Sequence, residues 1–393
     1  MIDQNKTQPI YTLLDLVKYF LKIGTIGFGG PVALIGYMQN DLVEDRKWIS
    51  ESDFKEGLAL SQLAPGPLAA QLGIYIGFVH FGILGATLTG IAFVLPSFIM
   101  VVLLGVAYKT FGGLPWMQAV FYGISAAVIG IITLSSYKLT TKSIGDLKIA
   151  SIKSNWLLWT FYIITTILTI VTEKEEMLLF LSLGFIYMLF KAPPEWIKQP
   201  NAASFLALST FSFSAIELDK LGEIAWFFTK AGAFVFGSGL AIVPFLHTGV
   251  VNDYRWLTEN QFVDAVAVAM ITPGPVVITV GFIGYLVAGF KGACIAALAT
   301  FLPCYLFTIL PAPYFKKIAN NKSIKAFVDG ITAAVIGALM GAVVVIALRT
   351  IIDIPTAIIA IGTIFLLLYV KKLKEPHIIA LAALLGIISK ILF

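Results

Sequence analysis

The sequence predicts an all-helical integral membrane protein with two repeats of about six helices each, inserted in opposite directions. Three observations predict this fold: an apolar composition, an internal duplication, and lysines that collect on different loops of the two halves. Of the 393 residues, 59% are hydrophobic and 12% are charged, whereas soluble domains carry about 25% charged residues. Long unbroken apolar runs, in place of ~10-residue alternating segments, favour helices over a β-barrel.

The apolar runs provide room for a dozen helices, since a membrane span needs about 20 mostly apolar residues. A further short apolar segment, Ala202–Ile216, brings the predicted number of spans to about thirteen. The clear candidates are residues 83–108, 115–136, 155–172, 176–190, 292–312, 327–348, 354–370 and 376–393. The shorter candidates, several of them interrupted by Gly or Pro, are residues 11–29, 67–82, 221–239 and 275–290.

The duplication is visible as residues 28–67, which recur without a gap as residues 236–275. A second block, residues 123–130, recurs as residues 330–337. The first repeat is therefore placed at residues 9–191, a linker at 192–220 and the second repeat at 221–393. A duplicated membrane chain whose repeated signatures are Gly/Pro breaks is typical of secondary transporters.

Loop charges indicate how the repeats are oriented. In the first half the run at 115–136 is followed by a basic loop, whereas the matching loop of the second half, with Arg349 and Asp353, is nearly neutral. Basic loops stay in the cytoplasm, so the halves are predicted to be inverted, with the N-terminus inside and the C-terminus outside. This arrangement needs one crossing between the halves, which we place at Ala202–Ile216. The basic residues concerned are Lys138, Lys142, Lys148 and Lys153 in the first half, and Lys316, Lys317, Lys322, Lys325, Lys371, Lys372 and Lys374 in the second.

Two kinds of break could carry chemistry. The first is Phe28-Gly-Gly-Pro31, matched by Phe236-Gly-Ser-Gly239, and the second is a Pro-Gly-Pro turn in each half. A proline at a helix start leaves first-turn N–H groups free at the positive end of the helix dipole. Two such ends meeting near the membrane midplane would form an anion site, although Gly and Pro could also mark packing corners. The candidate binding residues at the breaks are Gly29, Gly30, Pro65, Gly66, Pro67, Gly237, Ser238, Thr272, Pro273, Gly274 and Pro275.

Charged and polar residues near the breaks are further candidates. Lys22 and Lys230 are matched, and an ammonium at membrane depth costs at least ~3 kcal/mol, so they could face a dianion; the alternative is snorkelling to an interface. Glu56 and Asp264 are matched carboxylates that could carry coupling protons if buried, or could belong to a solvated polar face. Gln62 and Gln71 are neutral donors that could contact an oxyanion, although helix–helix hydrogen bonds explain them equally well.

Other functions find no support in the sequence. His80, His247 and His377 lack metal-ligand spacing, and we expect no metal and no cofactor. Neither a Gly-x-Ser-x-Gly elbow nor a phosphate-binding loop occurs, so we expect no enzyme. Cys294 and Cys304 are interpreted as structural thiols. The net charge of +5 comes from loop lysines and does not indicate nucleic acid as a partner.

At these motifs the chain resembles the chromate ion transporter family in its long, two-domain form. The resemblance covers essentially the whole chain. It implies export of chromate across the cytoplasmic membrane, with possible proton antiport, chromate resistance, and sulfate as a close analogue. A sulfate importer, an anion channel and an intramembrane enzyme remain alternatives, and the sequence leaves a homodimer open. The motifs are Phe28-Gly-Gly-Pro31, Arg46-Lys-Trp-Ile49, Ala64-Pro-Gly-Pro67 with Ala70-Gln-Leu72, and Thr272-Pro-Gly-Pro275.

Overall fold

The regular structure is helical throughout the part of the chain that the computed structural model describes. Four helical segments are long and apolar enough to cross a membrane, and three shorter apolar helices accompany them. The four are Leu68–Phe111, Pro115–Ser143, Val276–Tyr314 and Lys322–Thr350, and the shorter ones are Trp156–Thr172, Leu178–Lys191 and Ile354–Tyr369. The described residues are 11–28, 30–112, 114–173, 177–194, 219–235, 239–314, 321–370, 373 and 375–392.

The first two helices form a hairpin that returns to its starting end. Helix α1 (Leu13–Ile26) begins with a capping box between Thr12 and Asp15, and α2 (Gly30–Met38) continues into a π-helical segment, Gln39–Asp45. The chain then brings Trp48 back to the beginning of α1, where its ring stacks on Tyr11 with 4.7 Å between centroids. The break at Phe28 is therefore the tip of this hairpin.

A second hairpin follows, with the first Pro-Gly-Pro turn at its tip. Helix α3 (Glu51–Leu63) is capped by Ser50 and runs antiparallel to the first part of α4 (Leu68–Phe111). The carboxylate of Asp53 lies 3.9 Å from the His80 imidazole, so the two ends of this hairpin lie side by side.

Helix α4 itself consists of two antiparallel helices. Helical geometry is interrupted at Phe81 and Gly82, and Gly82 has φ +64°, which suits a residue without Cβ. The Thr89 hydroxyl donates to the Gly73 carbonyl at 3.1 Å across this turn. Only the second part of α4, after Gly82, is long enough to cross a membrane, because about 20 residues are needed.

The rest of the first half consists of α5 (Pro115–Ser143), the short α6 (Ile149–Ser154), α7 (Trp156–Thr172) and α8 (Met177–Lys191). The second half contains α9 (Lys220–Ala233), α10 (Val243–His247), α11 (Glu259–Ile271), α12 (Thr279–Ile309), α13 (Lys322–Thr350), α14 (Ile354–Tyr369) and α15 (Glu375–Leu392). Short segments join them: Gly239–Ile242 and Val276–Ile278 are 3₁₀-helical, and Thr248–Asp253 is π-helical.

The second half repeats the local geometry of the first at matched residues. The Trp48 N–H donates to the Leu42 carbonyl at 2.8 Å, and the Trp256 N–H donates to the Val250 carbonyl at the same distance. Lys47 has φ 52° and the matching Arg255 has φ 50°. Helix α12 is interrupted at Ala288 and Gly289, as α4 is at Phe81 and Gly82.

These hairpins change how the shorter apolar segments are understood. Helix α1 has 14 residues, which is about 21 Å at 1.5 Å per residue, too short for a hydrocarbon core of about 30 Å. The candidate spans at 11–29, 67–82, 221–239 and 275–290 lie in such hairpins, so the described residues do not support a count of thirteen spans. The proposed crossing at Ala202–Ile216 lies outside the described residues.

Two ends of the helix bundle can be distinguished. The Trp48 end holds Tyr11, Trp48 and the turn at Gly82. From Gly82, the second part of α4 leads about 39 Å, at 1.5 Å per residue, to Tyr108, whose hydroxyl donates to Asp264 on α11. We call this opposite end the Arg349 end, after the residue near the C-terminus of α13.

Candidate functional site

The two Pro-Gly-Pro turns meet the breaks of the opposite halves. The Gly66 N–H donates to the Val235 carbonyl at 2.6 Å, and the Gly274 N–H donates to the Gly27 carbonyl at 2.9 Å. Gly66 matches Gly274 in the duplication, and Gly27 matches Val235, so the two hydrogen bonds are equivalent. The turns and the breaks after α1 and α9 therefore come together at one junction between the halves.

Both glycines have backbone angles that favour glycine, with φ +143° at Gly66 and +98° at Gly274. Each also lies against a buried side chain: a Cβ on Gly66 would be 3.0 Å from the Cys304 sulfur, and a Cβ on Gly274 would collide with the Ser97 hydroxyl. Ser97 and Cys304 each follow the proline inside the long helix of their half. The junction has no room for a side chain at either glycine.

Ser97 connects the break after α1 with the second Pro-Gly-Pro turn, and it was not among the residues predicted from the sequence. Its fully buried hydroxyl donates to the Pro273 carbonyl at 2.7 Å, and the Gly24 carbonyl lies 3.3 Å away. The available signal was the match between Pro96 and Pro303, since Ser97 and Cys304 are the next residues.

The hydrogen bonds at the junction also limit which donors could reach a ligand. The N–H groups of Gly66 and Gly274 are used between the halves, so the free donors expected from these turns are not the glycine amides. The first amides after Pro67 have no acceptor within their own helix, whereas after Pro275 the Ile278 N–H donates to the Pro275 carbonyl at 2.9 Å. The Thr272 hydroxyl donates to the Val268 carbonyl at 2.6 Å, and Gln71 donates to the Pro65 carbonyl at 2.9 Å.

A cavity of about 370 Å³ lies beside this junction. Residues of both halves line it: Gly27, Phe28, Pro31, Ile131, Ser135, Lys138 and Leu139 from the first, and Leu240, Ala269, Met270, Thr272, Gly274, Val276, Glu375 and Pro376 from the second. The cavity therefore combines backbone of the breaks with one ammonium and one carboxylate.

The cavity extends from the junction toward the Trp48 end. Helix α5 starts near the Arg349 end, where Tyr122 donates to Asp353 at 2.7 Å, so Lys138, near its other end, lies toward the Trp48 end. Helix α15 ends near Tyr122, with the Lys390 ammonium 4.9 Å from that ring, which places Glu375, its first residue, at the Trp48 end as well.

Lys138 is the cation of the cavity lining, and the sequence had predicted that it lies in a loop. The predicted span ended at Ser136, whereas α5 continues to Ser143. Polar residues in the last two turns, among them Thr140, whose hydroxyl donates to the Ser136 carbonyl at 2.9 Å, lowered the apparent hydrophobicity without ending the helix. Lys138 therefore lies on a helix that lines the cavity.

The two matched lysines proposed from sequence do not line this cavity. Lys22 is exposed on α1. Lys230 is half-buried on α9, and its ammonium lies 5.4 Å from the centre of the Trp226 ring. Gln62 is exposed near the end of α3. Among the other candidates, Gly30 begins α2, while Gly29, Gly237 and Ser238 lie outside the described residues.

The two matched carboxylates differ in their surroundings. Asp264 is 6% exposed, and it accepts hydrogen bonds from Tyr108 at 2.7 Å and from Ser125 at 3.1 Å. Both donors belong to the first half, so Asp264 lies at the contact between the halves. Glu56 is half-buried near Tyr75, within its own half. Of the two matched carboxylates, Asp264 is therefore the one that is buried between the halves.

Comparison with known proteins identifies the family. The model of the chromate transporter family matches the chain twice, at residues 14–189 and at residues 222–387. The chain belongs to the chromate transporter family. Together with the apolar helices, this membership makes it a membrane protein of a transporter family.

Three relatives are similar to the chain over nearly their whole length. The chain is 62% identical over 387 residues to a chromate transport protein of Cupriavidus metallidurans, covering 98% of this chain and 94% of the relative. It is 57% identical over 386 residues to a probable chromate transport protein of Synechococcus elongatus, covering 97% and 96%. A chromate transport protein of Pseudomonas aeruginosa is 28% identical over 397 residues, with 96% and 92% covered. No solved structure matches the chain.

Proposed function

We propose that this chromate transporter family member is a secondary transporter that exports chromate across the cytoplasmic membrane in exchange for protons, and so confers chromate resistance. The observation that carries the proposal is the cavity between the two halves, with Lys138 on its wall and, at its base, the part of the junction where Gly274 donates to Gly27. Similarity to proteins named for chromate transport supports the choice of anion.

The proposed architecture is a pair of inverted repeats that rock against each other around the shared junction. Two facts support it. The first is the equivalence of the hydrogen bonds that Gly66 and Gly274 donate. The second is the contact of Asp264 with Tyr108, because Tyr108 lies about 39 Å along α4 from the end of the bundle where the hairpins of the first half begin and end. In this arrangement the matched hairpins enter from opposite faces, and their tips meet near the midplane.

The electrostatics of the cavity suit a tetrahedral dianion. An ammonium about 4 Å from a unit negative charge gains roughly 4 kcal/mol at an effective dielectric constant of 20. Helix N-termini at the junction add partial positive charge. Lys138 therefore takes the role that the sequence analysis gave to Lys22 and Lys230, and Glu375 opposes the binding of a second anion at the cavity mouth.

Loop charge supports a cytoplasmic position for the cavity mouth. The Trp48 end holds the C-terminal end of α5 and the loop after it, with Lys142, Lys148 and Lys153. The Arg349 end holds the acidic turn at Glu173. Basic segments stay inside, so this state would load its anion from the cytoplasm, as an exporter must.

Proton exchange is assigned to Asp264 rather than to Glu56. Asp264 is the buried member of the pair, and it is held by hydroxyls of the opposite half. A movement of the halves against each other changes the burial and the hydrogen bonding of Asp264. A buried carboxylate responds to such changes by binding or releasing a proton. The movement and the proton would thus be coupled at one residue.

Chromate uptake into everted membrane vesicles with an imposed proton gradient tests the proposal. We expect gradient-dependent uptake, competition by sulfate, and at least a tenfold loss of uptake in Lys138→Gln, which corresponds to about 1.4 kcal/mol. Lys142→Gln, one turn further along the same helix and outside the cavity lining, is the matched control.

Three outcomes would redirect the proposal. Uptake that ignores the proton gradient would indicate a channel. Uptake of sulfate without uptake of chromate would indicate a sulfate transporter. Equal chromate uptake by wild type and Lys138→Gln would remove Lys138 from the binding site.

A further inference from the structure

A cluster of four charged or ionisable side chains lies at the Arg349 end. Arg349 donates through Nη1 to Glu259 at 2.7 Å and through Nη2 to Glu173, and Nε2 of His247 lies 2.7 Å from the other oxygen of Glu259. Exposure falls inward along the cluster, from 39% at Glu173 and 36% at Arg349 to 19% at Glu259 and 4% at His247. We call Glu173, His247, Glu259 and Arg349 the end cluster.

The end cluster joins the two halves. Glu173 caps α7 of the first half, and the other three members of the cluster belong to α10, α11 and α13 of the second. Among the salt bridges of the described residues, the one between Arg349 and Glu173 is the one that crosses between halves. Arg349 therefore bridges a carboxylate of each half with one guanidinium, a geometry that suits its planar set of donors.

The backbone at Glu173 has a conformation that is unfavourable for a residue with Cβ. Glu173 has φ 52°, a left-handed conformation that costs a residue with Cβ roughly 1–2 kcal/mol. Its carbonyl accepts hydrogen bonds from Asn252 at 3.1 Å and from Thr248 at 3.3 Å, both on the second half. The second half thus holds both the side chain and the carbonyl of Glu173 in place.

The matched positions of the first half do not form such a cluster in the described residues. Glu51 matches Glu259, but it pairs with Lys55 of its own helix at 2.6 Å, on the exposed surface. Lys142 matches Arg349 and Gln39 matches His247. Among the described residues, the salt bridge between the halves therefore lies at the Arg349 end, whereas the cavity extends toward the Trp48 end.

We infer that the end cluster is the closed gate of this transporter, which must separate before the cavity can open at the Arg349 end. The inference rests on the proposed alternating access and names the contact that closes the Arg349 end. Asp264, which accepts from Tyr108 and Ser125 of the first half, lies on the same helix as Glu259 of the cluster, five residues or about 7.5 Å further along at 1.5 Å per residue. Separation of the halves at this end must break those contacts as well, so the gate is linked to the carboxylate proposed to carry the proton.

Reactivity of introduced cysteines toward a membrane-impermeant thiol reagent tests the gate. The background is Cys294→Ala with Cys304→Ser, the residue that the first half has at the matched position, Ser97. Ser125→Cys reports on the Arg349 end because Ser125 touches Asp264 across the halves. Ser135→Cys reports on the cavity because Ser135 lines it.

With the end cluster intact, we expect Ser135→Cys to react from the Trp48 side and Ser125→Cys to be protected. Arg349→Ala should raise the reaction rate of Ser125→Cys from the Arg349 side about tenfold, a shift of ~1.4 kcal/mol, and lower that of Ser135→Cys. Global unfolding would raise both rates, so the opposite signs identify a gate. Lys55→Ala, which removes the matched ion pair of the first half, should change neither rate.

A charge exchange provides a second variant. Glu173→Arg with Arg349→Glu re-forms an ion pair between the halves, and it should restore part of the protection that Arg349→Ala removes. Unchanged protection of Ser125→Cys in Arg349→Ala would overturn the gate. Labelling needs no transported anion, so a failure to transport chromate would remove the proposed function and leave a positive labelling result intact, and the reverse also holds.

Discussion

The hydroxyl of Tyr108, on a helix of the first half, donates a hydrogen bond of 2.7 Å to the buried carboxylate of Asp264 in the second half. This contact lies between the end cluster and the junction of the Pro-Gly-Pro turns. It connects a titratable group to the surface along which the halves would move. The consequences can be measured one residue at a time.

Asp264→Asn should abolish the dependence of chromate uptake on a proton gradient, because the amide cannot exchange a proton near neutral pH. Tyr108→Phe removes one hydrogen bond, worth about 0.5–1.5 kcal/mol, and should shift the pH profile of uptake while retaining coupling. Uptake across a range of pH values in everted vesicles is the measurement. Glu56→Gln is the matched control, and gradient-dependent uptake by Asp264→Asn would exclude Asp264 as the proton carrier.

Gly274→Ala should destabilise the protein severely, since a side chain there collides with Ser97 and the φ of +98° disfavours a residue with Cβ. We expect a loss of at least ~2 kcal/mol, from strain of about 1–2 kcal/mol plus the collision. Thermal unfolding in detergent measures it. Ser97→Ala in the same chain should recover part of the loss, and Gly36→Ala, with open space around it, should have little effect.

Lys22→Gln should change chromate uptake less than twofold, because Lys22 is exposed and does not line the cavity. A neutral substitution at a snorkelling lysine alters little besides local solvation. The measurement is the same vesicle assay, with Lys138→Gln in parallel. A large loss in Lys22→Gln with none in Lys138→Gln would return the binding role to the lysine that the sequence analysis favoured.

The end cluster should stay closed on mild acidification. Burial pulls the pKa of Glu259 upward, but hydrogen bonds and charge from His247 and Arg349 outweigh it and hold that pKa below its usual value. A lowered carboxylate pKa means that the ion pair contributes above the ordinary pKa of about 4.3 and is lost only as pH falls through the lowered value. Protection of Ser125→Cys should therefore be equal at about pH 7 and about pH 5.5, and loss of protection at the lower pH would contradict this.

Helix content, the duplication and the importance of the Gly/Pro breaks could be predicted from the sequence because each depends on local residue types. The direction in which a helix runs could not be predicted from the sequence. Hydropathy is the same for a half-length hairpin arm and a short span, so α1 and the first part of α4 were interpreted as spans. The reversal at Phe81 and Gly82 depends on the positive φ of one glycine among 34.

Contacts between residues that are distant in sequence could not be predicted from a single sequence. Arg349 was interpreted as balanced by Asp353, its neighbour in the loop, yet it pairs with Glu173, 176 residues away, and with Glu259. Asp353 instead accepts from Tyr122 of the first half. Duplication predicts that matched segments look alike, but it does not predict which copy keeps a function: neither the end cluster nor the buried setting of Asp264 is repeated at the matched positions that the structure describes.

The most direct test of the central claim, that two inverted halves share one junction, is the sidedness of matched positions. Ser143 and Thr350 are the last residues of α5 and α13 and correspond in the duplication. In the background without native cysteines, we predict that Ser143→Cys reacts with an impermeant reagent from the cytoplasmic side and Thr350→Cys from the outside. Reaction of both from the same side would show that the halves run in the same direction, and would contradict the account.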